Sequence, residues 1–166
     1  MKRCLIPAIA LAVLPNVAYP QGGTTAPVTV TVQADVTLAR EGTTSFGTIG
    51  TSARTVTIGP TTPAPDQSVA LFTASGAPNA NVVVTFDATT DLCHATSGCS
   101  VRIVFTPNVA ESQELFCCSS LLTNGGIVRL NGAGVHYFWL GGSITTVDQQ
   151  PSGVYSGLFS MLVEYQ

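Results

Sequence analysis

Charged side chains are scarce in this sequence of 166 residues. Asp, Glu, Lys and Arg together make up 9% of the chain, and Lys2 is the only lysine. The formal net charge is -3, and the arginines are scattered rather than gathered into a basic patch. Because proteins that bind nucleic acid present positive charge to the phosphates, the sequence predicts no nucleic-acid partner.

Helical periodicity and long apolar runs are missing after the first 20 residues. No stretch repeats apolar side chains at the 3.6-residue spacing of an amphipathic helix. The start of the chain differs, because Lys2 and Arg3 precede an almost unbroken apolar run from Cys4 to Val13. This layout is typical of a secretory signal peptide and is too short for a transmembrane helix. We therefore expect residues 1–20 to be a signal peptide and the protein to be secreted.

Recognisable catalytic and metal-binding motifs are absent as well. His94 and His136 have no partners at zinc-ligand or nucleophile spacing, and the chain contains no Cys-x-x-Cys pair. Residues 132–134 lack the third glycine of a dinucleotide loop, and residues 153–157 misplace the serine of a nucleophile elbow. His136 is interpreted as a structural histidine of the core or a strand edge. The sequence therefore predicts a protein that is not an enzyme and holds no cofactor or metal.

What remains is a composition that favours β-structure. Hydrophobic residues make up 45% of the chain, and 16 glycines and 10 prolines supply many turns. Short stretches with strand-like alternation recur about every 8–12 residues, which is typical of a β-sandwich. We expect a short strand or turn at 45–47, a proline-rich loop at 59–67, and strands at 55–58, 69–74, 81–86, 100–106, 127–130 and 135–140.

Four cysteines remain once the predicted signal peptide is removed: Cys93, Cys99, Cys117 and Cys118. An even number of cysteines in a secreted protein predicts two disulfides. A Cys93–Cys99 bridge would close a short loop and leave the neighbours Cys117 and Cys118 as a vicinal pair. The other two pairings would connect that loop to the region around residues 115–122. The sequence leaves all three pairings open.

The C-terminal stretch has the clearest alternation in the sequence. From residue 155 to 165, alternate positions form one large apolar face, while the positions between them are mixed. Side chains on a strand point alternately to its two faces, so this pattern predicts one long strand with a free edge. The apolar face consists of Tyr155, Gly157, Phe159, Met161, Val163 and Tyr165.

A second alternating stretch runs from residue 28 to 38, which is longer than a usual strand. Two strands in series, broken near residues 34–35, would explain its length. We interpret residues 21–34 as an exposed N-terminal arm and residues 35–166 as the folded domain. The alternate apolar side chains of the arm are Val28, Val30, Val32 and Ala34.

These motifs resemble those of pilus subunits from the chaperone–usher system. Such subunits end in an alternating strand with a penultimate tyrosine, here Tyr165, and a glycine fourteenth from the end, here Gly153. The arm resembles the N-terminal donor arm of the alternate pilins. Residues 141–144 (Gly-Gly-Ser-Ile), the later Gly-x-Tyr-x-Gly-x-Phe of residues 153–159, and Phe46-Gly47 are similar to a family of secreted bacterial pilin-like proteins. The four mature cysteines depart from the standard pilin pattern.

The resemblance implies an all-β, immunoglobulin-like sandwich of the pilin type that is incomplete and is completed by a donor strand. The acceptor groove would lie beside the strand from Tyr155 to Tyr165, and Val28, Val30, Val32 and Ala34 would be the donor residues. The implied partners are other copies of the chain, joined head to tail, together with a periplasmic chaperone and an outer-membrane usher. The implied location is an extracellular filament on the cell surface.

Two other interpretations use the same fold. A secreted adhesin would bind host or surface glycans, with Tyr137, Trp139 and Tyr155 as candidate sugar contacts, and a coat protein would polymerise without forming a pilus. A hydrolase built on a β-sandwich is the remaining alternative, and the missing motifs argue against it.

Overall fold

The computed structural model describes residues 35–60, 69–115 and 117–166. The predicted signal peptide, the predicted arm with its four donor residues, and most of the predicted proline-rich loop lie outside the described residues. The described residues contain no helix that is long and apolar enough to cross a membrane.

Eleven β-strands make up the described part of the chain. In chain order they are β1 Thr37–Glu41, β2 Arg54–Ile58, β3 Ala70–Ser75, β4 Asn81–Phe86, β5 Thr90–His94, β6 Gly98–Ser112, β7 Ser120–Leu122, β8 Gly126–Arg129, β9 Val135–Thr146, β10 Tyr155–Ser156 and β11 Met161–Tyr165.

The strands form two antiparallel sheets. The larger sheet has the order β1-β3-β9-β6-β5-β10, with β2 also paired to β9 and β7 also paired to β6. The smaller sheet has the order β11-β4-β8. The prediction of an all-β, incomplete β-sandwich is therefore confirmed.

The core lies between the two sheets and follows from the alternation of the strands. In β3, Ala70, Phe72 and Ala74 are buried, while the residues between them are more exposed. In β4, Val82 and Val84 are fully buried in the same way. Because alternate side chains of a strand share one face, each sheet contributes one apolar face to this core.

A second, smaller apolar cluster lies on the outer face of the larger sheet. It contains Trp139, Ala110 and Val69, with Tyr137 packed against them. The prediction that residues 135–140 are buried on both faces is confirmed for most positions, because Phe138 faces the main core and Trp139 faces this cluster.

The C-terminal strand differs from its prediction. The sequence predicts one strand from residue 155 to 165, whereas the structure divides it into β10, in the larger sheet, and β11, in the smaller sheet. Gly157 lies so close to Asp91 and Leu92 of β5 that a side chain there would overlap the Asp91 carbonyl. At residue 160 the chain is held instead at Asp87, the residue that follows β4, since Ser160 N donates to Asp87 Oδ2 at 2.8 Å. The close crossing over β5 is the reason for the change of sheet.

Several other predicted boundaries also change. Strands β6 and β9 are longer than the predicted 100–106 and 135–140, and β5 and β7 have no counterpart among the predicted strands. Residues 45–47 lie outside any strand. The long strands are continuous because each exchanges pairing partners along its length: β9 pairs with β3 and then with β2, on one side, and with β6 on the other.

Candidate functional site

An apolar groove opens between two segments of chain, which we call the first wall (residues 43–51) and the second wall (residues 150–159). Its cavity volume is about 700 Å3. The floor consists of core-facing side chains of β3, β6 and β9, and these are Ala70, Phe72, Ile103, Phe105, Leu140 and Ile144. The groove therefore leads from the surface to the core between the sheets.

The first wall is attached to the floor by one threonine and one ring. Thr44 Oγ1 donates to the carbonyl of Leu140 at 2.6 Å and accepts from Ala70 N at 3.2 Å. The ring of Phe46 meets that of Phe105 edge-on, with centroids 5.8 Å apart and planes at 71°. These contacts hold a segment that has no strand ladder of its own.

The second wall contains an aromatic side chain that contacts both sheets. The ring centroid of Phe159 lies 6.1 Å from that of Phe72, in the larger sheet, and 6.1 Å from that of Phe86, in the smaller sheet. Rings at this separation in tilted arrangements attract one another. Phe159 therefore closes the core at the point where the chain passes from one sheet to the other.

The two walls meet at one end of the groove. Gln150 N donates to the carbonyl of Thr51 at 3.1 Å. The side chain of Gln150 donates through Nε2 to Tyr155 Oη at 2.9 Å, and Tyr155 Oη donates to the carbonyl of Pro151 at 2.7 Å. This network fixes the end of the groove with hydrogen bonds.

One buried hydroxyl in the groove has no hydrogen-bond partner among the described residues. Thr90 lines the cavity, and its Oγ1 is buried. A buried hydroxyl without a partner costs about 1–3 kcal/mol.

The structure separates the predicted acceptor residues into two groups. Tyr155, Gly157 and Phe159 line the groove. Met161, Val163 and Tyr165 lie on β11, where they pack against the main core beyond the groove lining. The Tyr165 hydroxyl accepts a hydrogen bond from Ala77 N at 2.7 Å.

Sequence reasoning missed the other side of the groove. Ile49, Thr90 and Gln150 line it, yet none of them belongs to a predicted site. Phe46 was part of a recognised motif, Phe46-Gly47, but was assigned to a strand or turn. The available signal was the apolar pair Phe46 and Ile49 in an otherwise polar, glycine-rich stretch.

The aromatic residues of the glycan interpretation do not form one site. Tyr137 and Trp139 lie on the outer face of the larger sheet, with ring centroids 6.5 Å apart, and Trp139 is only 3% exposed. Tyr155 lies in the groove instead. The proposed grouping of these three side chains is therefore wrong.

The cysteines form the bridges Cys93–Cys99 and Cys117–Cys118. This is one of the three pairings that the sequence leaves open. Cys118 has a φ of 60°, which supplies the irregular backbone that neighbouring bridged cysteines require. Within the described ranges, no three His, Cys, Asp or Glu side chains are grouped so that they could hold a metal ion.

Comparison with known proteins places the chain in a family. No curated protein matches the sequence. A family model described as "Domain of unknown function (DUF4402)" matches residues 21–165, which is nearly all of the sequence after the predicted signal peptide. The chain therefore belongs to the DUF4402 family.

Proposed function

We propose that this protein is a structural subunit of an extracellular filament, and that its subunits join head to tail by strand exchange. The observation that carries the proposal is the groove, which opens the core of an incomplete β-sandwich to the surface. The N-terminal arm of one subunit, residues 21–34, would fill the groove of the next.

The hydrophobic effect favours an occupant. The floor and walls present Phe46, Phe72, Phe105 and Phe159 to a cavity of about 700 Å3. Phe46 and Phe159 are only partly buried, so an apolar strand entering the groove would remove more of their surface from water, at about 25 cal/mol for each Å2 of apolar surface. The arm offers Val28, Val30 and Val32 at alternate positions, and their burial would contribute at most about 5–8 kcal/mol.

The backbone around the groove also favours a strand as the occupant. Within the described residues, β1 and β11 are edge strands of the larger and the smaller sheet. The first wall follows β1 in sequence, and residues 157–160 lead into β11. Edge strands can pair with an added strand, and donor-strand complementation is a recognised form of such pairing.

The proposal includes secretion and assembly partners. The predicted signal peptide directs the chain out of the cytoplasm, a periplasmic chaperone would fill the groove before assembly, and an outer-membrane usher would guide polymerisation. The contact between subunits joins two different surfaces, so it repeats without closing and produces a filament.

The test changes one side chain on each face of the arm in the full-length chain. Val30→Asp would place a carboxylate in the apolar groove, where its desolvation is costly, and is expected to abolish polymerisation. Thr31→Asp adds the same charge on the opposite face and is expected to polymerise. The measurement is a ladder of heat-resistant species on a denaturing gel, with electron microscopy of the secreted material.

A third variant separates assembly from folding. Phe159→Asp places a charge where the groove meets both sheets, and it is expected to unfold the domain rather than only block assembly. If Val30→Asp and Thr31→Asp polymerise equally well, the arm does not enter the groove through its valine face, and the proposal is wrong.

A further inference from the structure

The hairpin between β5 and β6 lies directly behind the second wall of the groove. Cys93 and Cys99 are joined across its turn, and His94 pairs with Gly98. The register shifts between Cys93 and His94, so the ladder alone does not hold this turn in place. The disulfide is therefore the covalent constraint on the conformation of residues 94–98.

The ring of His94 connects this turn to the second wall. Its Nδ1 lies 3.3 Å from Thr96 N and 3.1 Å from Ser97 N, and both backbone groups can only donate. Nδ1 is therefore an acceptor, and the ring hydrogen belongs to Nε2. Nε2 donates to the carbonyl of Ser152 at 3.1 Å. The backbone amides of the turn thus orient the His94 ring, and the ring in turn holds the second wall at Ser152.

Further contacts surround this hydrogen bond. Ala95 N donates to the carbonyl of Val154 at 2.8 Å, and the rings of His94 and Tyr155 meet edge-on with centroids 5.1 Å apart. Gly153 lies against the His94 ring so closely that a Cβ there would overlap it, and its φ is 156°. A side chain at position 153 is therefore excluded by the ring and by the backbone.

The second wall has little structure of its own to hold it. Its one strand, β10, has two residues, and these pair with His94 and Cys93 of β5. The backbone of Tyr155, which lines the groove, is positioned by this pairing, while its hydroxyl is held by Gln150 and Pro151. The position of the wall at Ser152–Ser156 therefore depends on the hairpin.

We infer that the hairpin closed by Cys93–Cys99 is a clamp that positions the second wall, and that His94 is its positioning residue. The inference rests on the proposed function, because its consequence is that the groove needs this disulfide in order to bind a donor strand. Without the clamp, the wall moves away from the floor, and the groove must be ordered again whenever a strand binds. The vicinal Cys117–Cys118 bridge is not among the residues that line the groove and has no part in the clamp.

The experiment uses the full-length secreted chain carrying Val30→Asp, so that its own arm cannot fill a groove. The probe is a fluorescent synthetic peptide of residues 24–36, and its binding is followed by anisotropy. Added to that background, His94→Ala and the pair Cys93→Ser with Cys99→Ser are each expected to weaken peptide binding on the order of tenfold or more. The matched control, the pair Cys117→Ser with Cys118→Ser, is expected to leave it unchanged.

Hydrogen exchange of the backbone amides reports the clamp independently of the peptide. The His94→Ala variant is expected to exchange faster at residues 152–156, while β4 and β9 keep their protection. If exchange at residues 152–156 is unchanged in the His94→Ala variant, the inference of a clamp is wrong. It is also wrong if the variant with Cys117→Ser and Cys118→Ser speeds exchange there to the same extent. If the parent chain fails to bind the peptide while exchange behaves as expected, the clamp stands and the proposed strand exchange fails. His94→Ala keeps the test decisive if the double serine variant does not fold.

Discussion

Gly142 is the residue at which β9 changes partners within the larger sheet. Its φ is 150°, and a Cβ there would overlap the carbonyl of Thr106 and approach the ring of Phe105. Its neighbour Gly141 is packed equally closely against Ile58 and Pro60. These two glycines therefore allow β2 and β6 to approach β9 from opposite sides.

Gly142→Ala is expected to lower the free energy of unfolding by about 2–4 kcal/mol, because the methyl group overpacks the sheet and the backbone conformation disfavours a side chain. Chemical denaturation followed by tryptophan fluorescence measures the change, since Trp139 is the single tryptophan. The control is Gly132→Ala, because Gly132 is exposed and has nothing within 4 Å of its added Cβ. Equal stability of the two variants would contradict the close packing.

His136 forms a buried polar contact that the sequence did not specify. Its Nδ1 donates to the carbonyl of Arg129 at 2.9 Å, and its Nε2 lies 2.5 Å from Glu111 Oε2. Ser120 donates to the other oxygen of Glu111 at 2.8 Å. The prediction that His136 is a structural histidine is consistent with this contact, in which the histidine is only 2% exposed.

Glu111→Ala is expected to lower the free energy of unfolding by about 2–4 kcal/mol, because it leaves the buried His136 Nε2 without its partner. Glu114→Ala is the control, since Glu114 is exposed, and its effect is expected to stay within about 0.5 kcal/mol. Urea denaturation at constant pH compares the two. A Glu111→Ala variant as stable as Glu114→Ala would show that the pair contributes nothing to the fold.

At the scale of single residues, sequence alternation predicts orientation well and partners poorly. Phe159, Met161 and Val163 point inward as predicted, while Leu158 and Leu162 are 87% and 53% exposed. The period of two is local, so it can be read from the sequence. The contact between Glu111 and His136 joins positions 25 apart, and no local pattern encodes it.

At the scale of elements, the sequence predicted most strands but not where they exchange partners. The division of the C-terminal strand depends on the approach of Gly157 to β5. Strand β5, which lies next to the cysteine-containing loop, was not predicted from the sequence. The first wall was missed because residues 43–51 have no alternation and are held by contacts with distant residues such as Leu140. Contacts of this kind depend on the tertiary fold, so they cannot be predicted from the periodicity of a single strand.

The two disulfides lead to a prediction at the same scale. Each lies between consecutive arginines of the chain: Cys93 and Cys99 fall between Arg54 and Arg102, and Cys117 and Cys118 fall between Arg102 and Arg129. Tryptic digestion without reduction is therefore expected to release peptides 55–102 and 103–129 separately, each with one internal disulfide. Mass spectrometry of the alkylated digest should find no labelled cysteine among the four. A joined 55–102/103–129 species would indicate a crossed pairing.

At the scale of the whole molecule, strand exchange requires that each subunit donate one arm and accept one. Under the proposed mechanism the two roles lie in different parts of the chain, because the proposed arm is residues 21–34 and the groove is lined by residues from 40 onward. A variant can therefore lose one role and keep the other. Val30→Asp is expected to lose donation, and Phe46→Asp, which puts a charge into the first wall, is expected to lose acceptance.

Each of these variants alone is expected to remain monomeric, whereas their mixture is expected to stop at the dimer. The intact arm of the Phe46→Asp subunit can enter the intact groove of the Val30→Asp subunit, but the resulting pair has only a defective arm and a defective groove left. Light scattering after size-exclusion chromatography measures the masses, with the unmodified chain as the polymerising control. Face-to-face packing of sheets would give a different result, since neither substitution would then limit assembly at two subunits. A mixture that stays monomeric, or one that regains long filaments, would exclude single-arm, single-groove exchange as the way in which the subunits join.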